Sequence, residues 1–140
     1  MGARRKARVR ALQSLYEVDS AGHDVEEVVN RQSEEDDPLV EEDGTEFVRE
    51  LVGGVLKNKA EIDRVIETYA PAWPVAQMAL VDRNILRLAI FEILFDNKVP
   101  VKVVINEAVE LAKGFGSDNT PKFINGVLGT VSAQSGKNRR

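Results

Sequence analysis

Cysteine is absent from the 140 residues of this chain. That excludes a disulfide framework, a thiolate metal site and a cysteine nucleophile. Histidine occurs once, as His23, so no histidine pair or histidine-rich metal site can form. Aromatic residues are scarce, at 6%, and Trp73 is the single tryptophan. No apolar run approaches the roughly 20 residues that span a bilayer. The basic N-terminus lacks the apolar stretch of a secretory signal, since Arg8 and Arg10 interrupt it. The expectation is a cytoplasmic protein with no membrane contact. Hydrophobic residues make up 43% of the chain, enough for a packed core.

The formal net charge is only −4, from 19 basic and 23 acidic residues. Its distribution is uneven. Arg4, Arg5, Lys6, Arg8 and Arg10 fall within the first ten residues, with no acid among them. Lys137, Arg139 and Arg140 make a second basic end. Residues 17–50 hold 14 acids against Arg31 and Arg49 alone. A basic cluster acts through its local field, so the first block predicts a polyanion contact despite the acidic total.

The apolar spacing is helical almost throughout. Ala7, Ala11, Leu12, Leu15 and Val18 predict a helix over 3–21, stopped by Gly22. Asp24 with Val25, Val28 and Val29 predicts a second, weaker helix. Residues 34–43 read as an acidic loop. The helical period restarts near residue 42 and runs to Tyr69, with a bend near Asn58. Pro71 and Pro74 mark a connection. Residues 82–96 are apolar on nearly every side, which predicts a buried central helix. A further helix follows Pro100 and closes at Gly114 and Gly116. Thr120 as N-cap before Pro121 predicts the start of the last helix, with Ile124, Val127, Leu128 and Val131 as its stripe and a frayed tail from Ser132. No strand pattern of useful length appears. The expectation is an all-α fold of six or seven helices, one domain over 1–140, with subregions of about 1–70 and 75–135.

On a helical wheel, at about 100° per residue, the basic side chains ring the first turns rather than share one stripe. Such a ring can stay solvated if the helix start projects from the body. Tyr16 falls close to the Arg5 direction, about three turns on. Guanidinium beside an aromatic face is the chemistry of single-stranded RNA binding. A solvated terminus is the alternative. Tyr69 and Trp73 flank Pro71; they could stack on bases or cover the core, and Trp73 is expected in the core. Residues 113–123 form a polar, glycine-containing turn into a helix N-terminus, where free N–H groups attract anions. Lys113 and Lys122 would assist, and Phe123 lies off the apolar stripe. An ordinary turn with Phe123 half-buried is the bland alternative.

Catalytic constellations are missing. Gly53-Gly54-Val55-Leu56-Lys57 lacks phosphate-loop spacing, and the acids at 34–37 and 41–43 lack a calcium-loop register. His23 has no evident nucleophile or carboxylate partner. No enzyme, cofactor or metal is expected.

The stretch Pro100-Val101-Lys102-Val103-Val104-Ile105-Asn106-Glu107-Ala108-Val109-Glu110-Leu111-Ala112-Lys113 resembles the signature helix of the NusB family of bacterial transcription antitermination factors. Lys122-Phe123-Ile124-Asn125-Gly126-Val127-Leu128 resembles its sequel. Arg8 to Tyr16, Phe47 to Val55 and Asp82 to Glu92 support the likeness in the family's order. The resemblance implies two small helical bundles that bind the single-stranded boxA element of ribosomal RNA leader transcripts beside NusE. Other Nus factors and RNA polymerase would be reached through that complex. It implies RNA contacts at Arg4, Arg5, Lys6, Arg8 and Arg10, at Tyr16 and Tyr69, and at Lys122 and Phe123. Asn119 stands where relatives can carry an acid, and its amide should repel phosphate less. Asp82 matches a NusE-docking position, with an N-cap as its alternative; Arg83 and Glu92 are further interface candidates. Two other readings remain. One is an RNA-binding appendage of a methyltransferase, although 1–140 contains no nucleotide-type α/β domain. The other is a homodimer whose acidic region masks the basic helix.

Overall fold

Helix α1, Ala3–Ala21, buries Ala7, Ala11, Leu12 and Leu15 along one face. Gly22 ends it with a φ of 69°, a left-handed conformation that glycine adopts at little cost. The computed structural model describes residues 3–24, 27–28 and 42–135. The expected second helix is described only at residues 24 and 27–28, where Val28 is buried. Of the expected acidic loop 34–43, residues 34–41 lie outside the described residues, as does the basic tail 137–140, while Glu42 and Asp43 open the next helix.

Helices α2 (Glu42–Lys57) and α3 (Lys59–Tyr69) meet at Asn58, whose side-chain amide donates to the Gly54 carbonyl at 2.8 Å. A short 3-10 turn, Val75–Gln77, leads into α4, Leu80–Ile90. The central helix does not stay α-helical to residue 96. Over Phe91–Asp96 it widens into a π-helical turn, closed where the Asn97 N–H donates to the Glu92 carbonyl at 2.9 Å. Helices α5 (Val101–Phe115) and α6 (Thr120–Ser135) complete the chain. The last helix runs past the expected frayed point: Ser132 is buried, and its hydroxyl donates to the Gly129 carbonyl.

Six α-helices and no strand are present among the described residues. The fold is all-α, as the spacing predicts. α1 packs on α2, α5 packs on α6, and α4 touches both pairs. These make two small bundles with α4 between them. Ile85, Leu86, Leu88, Ala89 and Ile90 are buried on nearly every side of α4, as its all-round apolar pattern requires. α2 approaches this centre closely at Gly54, where a Cβ would strike the Phe91 ring. None of the described helices is long and apolar enough to cross a membrane.

Candidate nucleic-acid interface

The start of α1 does not project into solvent. Ala7 and Arg8 are both buried there. Arg8 donates through Nε and Nη2 to the two carboxylate oxygens of Glu92, each at 2.9 Å. The Arg8 side chain is 4% exposed and that of Glu92 2%. The family resemblance implies an RNA contact at Arg8 and a partner contact at Glu92; here both are buried and form one internal ion pair joining α1 to the π-helical turn. Their guanidinium and carboxylate satisfy each other where water cannot.

The other basic side chains are more open. Arg4 is exposed, with its guanidinium carbon 4.7 Å from the Phe47 ring centroid on α2. Arg5 is exposed and bonds Glu107 of α5, with Nε 2.9 Å from Oε2. That hydrogen bond, with the Glu107 charge, raises the Arg5 pKa above its ordinary value. Lys6 and Arg10 are half-buried.

Arg5 heads a solvent-facing stripe on α1 that continues through half-buried Val9, then exposed Gln13 and Tyr16. Tyr16 thus shares the Arg5 direction, as the wheel predicts. Beside this stripe, α1 and α5 enclose an open groove of about 310 Å³, with Arg5, Arg8 and Val9 on one side and Glu107, Glu110, Leu111, Gly114 and Phe115 on the other. Lys113 is exposed near its end, 3.7 Å from Glu110. Phe115, 42% exposed, was not among the expected site residues.

The Ser117–Thr120 turn is held from inside. Thr120 Oγ1 accepts from the Ser117 N–H at 3.0 Å and donates to Asp82 Oδ1 at 3.0 Å. Asn119 and Lys122 are exposed on this turn and the first turn of α6, and Phe123 is half-buried. α6 begins at Thr120 itself, one residue earlier than the N-cap assignment. Asp82 is not the N-cap of α4 either; that position is Ala79, and Asp82 lies in the helix's first turn.

Arg83, another expected partner contact, is turned inward. It donates to both carboxylate oxygens of Asp19, at 2.7 and 2.8 Å, and to the Val75 carbonyl at 3.3 Å. Asn84 and Arg87 also donate to Asp19, and Arg87 bridges to Asp63 at 2.8 Å. The Arg83 hydrogen bond leads in holding the Asp19 carboxyl down at about 2, against the opposing effect of burial. His23 has a carboxylate partner after all: its Nδ1 lies 2.9 Å from Glu17 Oε2 on the surface.

These pairs fix the layout. Asp19 meets Arg83 and Arg8 meets Glu92, so α1 and α4 run antiparallel. The basic start of α1 therefore lies at one end of α4, and the Asp82-anchored turn lies at the other. Ten residues of helix separate the two ends, roughly 15 Å at ~1.5 Å per residue. Tyr16 and α5 lie between them. Tyr69 is half-buried against the core at the end of α3. Trp73 departs from its expected core position: it is 60% exposed, edge-to-face with Phe123 at 5.8 Å. A proline on each side forces it out of the helical path.

The family model described as "NusB family" matches residues 5–133. The transcription antitermination protein NusB of Dehalococcoides mccartyi strain CBDB1 is 55% identical over 130 residues, covering 93% of this chain and 90% of its own. The protein of the same name from Chloroflexus aggregans is 52% identical, covering 91% and 85%. Among solved structures, T. maritima NusB superposes with a TM-score of 0.85 at 31% identity, over 98% of this chain and 97% of its own. A crystal structure of antitermination factors NusB and NusE in complex with dsRNA gives 0.86 at 29% identity, over 94% and 97%. With a family match across most of its length and relatives above half identity, this chain belongs to the NusB family.

Proposed function

We propose that this protein is an antitermination factor that binds single-stranded boxA-type RNA of ribosomal RNA leaders together with NusE. Other Nus factors and RNA polymerase are reached through that complex. The observation that carries the reading is the solvent-facing stripe of α1 from Arg5 to Tyr16, beside the α5 groove that ends at Lys113 and Phe115. It combines cations for phosphates with aromatic faces for unstacked bases. The relatives carry the name of antitermination proteins, and the structural neighbour pairs NusB with NusE and dsRNA, which supports RNA and NusE as the partners. The enzymatic reading is set aside on this family membership, because NusB proteins are antitermination factors.

In this reading Arg4, Arg5, Lys6, Arg10, Lys113 and Lys122 attract phosphate. Tyr16, Tyr69 and Phe123 offer rings, and Asn119 offers an amide beside the α6 N-terminus. Arg8 acts by fixing the helix start. For NusE, the first turn of α4 with Asp82 forms the edge of the docking surface; Arg83 and Glu92, each held in an ion pair with α1, act by fixing α4 and its π-helical turn in place. One buried cluster shared by both bundles supports treating 1–140 as a single domain, with subregions of about 1–70 and 75–135.

The test is fluorescence anisotropy with a labelled boxA-like single strand, with and without NusE. Each partner should raise the apparent affinity for the other, because the complex brings two binding events onto one scaffold. Arg5→Ala should weaken binding and lower the salt slope by about one ion. Unchanged affinity and slope in that variant would defeat the RNA face.

A further inference from the structure

We infer that Trp73 is a base-stacking residue that extends the RNA face beyond Phe123. This rests on the RNA reading above and adds a contact to it.

Trp73 and half-buried Phe123 adjoin as an aromatic pair at the surface, and a contiguous exposed aromatic patch marks an interaction site more than a single ring does. Trp73 is 60% exposed, between buried residues on either side of its segment. Ala70 and Val75, which bracket the segment, are buried at 6% and 4% exposure. The Trp73 N–H donates to the Ala70 carbonyl at 3.0 Å, and Arg83 reaches the Val75 carbonyl from α4. Pro71 and Pro74 restrict the backbone on either side. The backbone that carries the indole is therefore restrained and the ring rests on Phe123, which lowers the entropy lost when a ligand orders it.

The chemistry beside it selects the ligand. Phe123 lies edge-to-face with Trp73, at an interplanar angle of 73°, and exposed Lys122 precedes Phe123. Aromatic faces next to a cation suit a nucleobase and its phosphate. Nearly perpendicular rings cannot continue one stack of parallel bases. A strand using both must turn sharply between two nucleotides, which a paired duplex resists. The occupant is thus an unstacked base of single-stranded RNA.

Trp73 is the sole tryptophan, so its own emission reports the contact. Titrating the full chain with a boxA-like single strand should change that emission saturably, with the midpoint found by anisotropy. The same sequence as a duplex should leave it unchanged. Trp73→Ala should weaken single-strand binding about ten-fold with the salt slope intact, since stacking releases no counterions. Trp73→Phe should recover part of that loss. Circular dichroism and the unfolding midpoint of both variants confirm that they fold. Silent emission at saturating RNA, or unchanged affinity in Trp73→Ala, overturns the inference while Arg5-dependent binding leaves the RNA reading standing. An emission change with NusE alone and none with RNA makes Trp73 a protein contact and also overturns it. Absence of any RNA binding removes both.

Discussion

Arg8 and Glu92 are chemically identical to surface residues in the sequence, yet they are among the most buried charged side chains of the described residues. Their pairing joins positions 84 residues apart, so no local spacing could announce it. Removing one partner strands the other in an apolar surrounding. Glu92→Ala should cost about 3–5 kcal/mol in urea unfolding, whereas replacing Arg8 by Met and Glu92 by Leu together should cost far less. Arg5 differs, being exposed in its pair with Glu107. Arg5→Ala should leave the unfolding midpoint nearly unchanged while weakening RNA binding. An Arg8→Ala variant defective in RNA binding must therefore be checked for folding before it is read as a lost contact. The sequence supplied the basic block as a set; only partners on α2, α5 and the π-helical turn sorted its members into surface and interior.

At the level of elements, helix periodicity was sufficient to locate most of the fold. The ranges around 3–21, 42–69 and 101–115 follow from apolar residues that must share one face. The π-helical turn was not legible, because Phe91–Asp96 carries the same apolar pattern as an ordinary helix. The adjacent glycines Gly53 and Gly54 also look equivalent in sequence and are not. A Cβ on Gly53 meets open space, while one on Gly54 meets the Phe91 ring. Gly53→Ala should raise stability by about 0.5–1 kcal/mol, through lower backbone entropy in the unfolded chain. Gly54→Ala should lower it by roughly 1–3 kcal/mol, by forcing α2 away from α4. Thermal unfolding of the two variants side by side checks the contrast; equal shifts would mean that the α2–α4 approach is looser than described.

Across the whole molecule, a charge network around Asp19 joins α1, α3 and α4 through Arg83, Arg87 and Asp63. The Asp19 carboxyl titrates at about 2, below its value in an unfolded chain, chiefly through the Arg83 hydrogen bond. Its contribution to stability is fully present above about pH 4 and is lost as pH falls through the folded value. Unfolding midpoints measured from pH 5 to pH 2 should fall steeply, and Asp19→Asn should flatten that fall while lowering stability at neutral pH. A variant with the wild-type slope would assign the acid sensitivity to other carboxylates. The same antiparallel arrangement of α1 and α4 sets the length of the proposed RNA face, because it holds the basic block and the Lys122 turn at opposite ends.

By itself the sequence determined the helical class, most helix boundaries, the basic start of α1, the shared direction of Arg5 and Tyr16, and the resemblance to the NusB family. These follow from spacing along one helix or from motifs contiguous in the chain. Tertiary structure alone decided that Arg8, Arg83 and Glu92 face inward and that Trp73 faces out. A charged side chain turns inward when a partner from another element meets it without water, and a tryptophan stays outside when prolines and buried neighbours hold its backbone away from the core. Both outcomes depend on which distant residues the packed helices bring together.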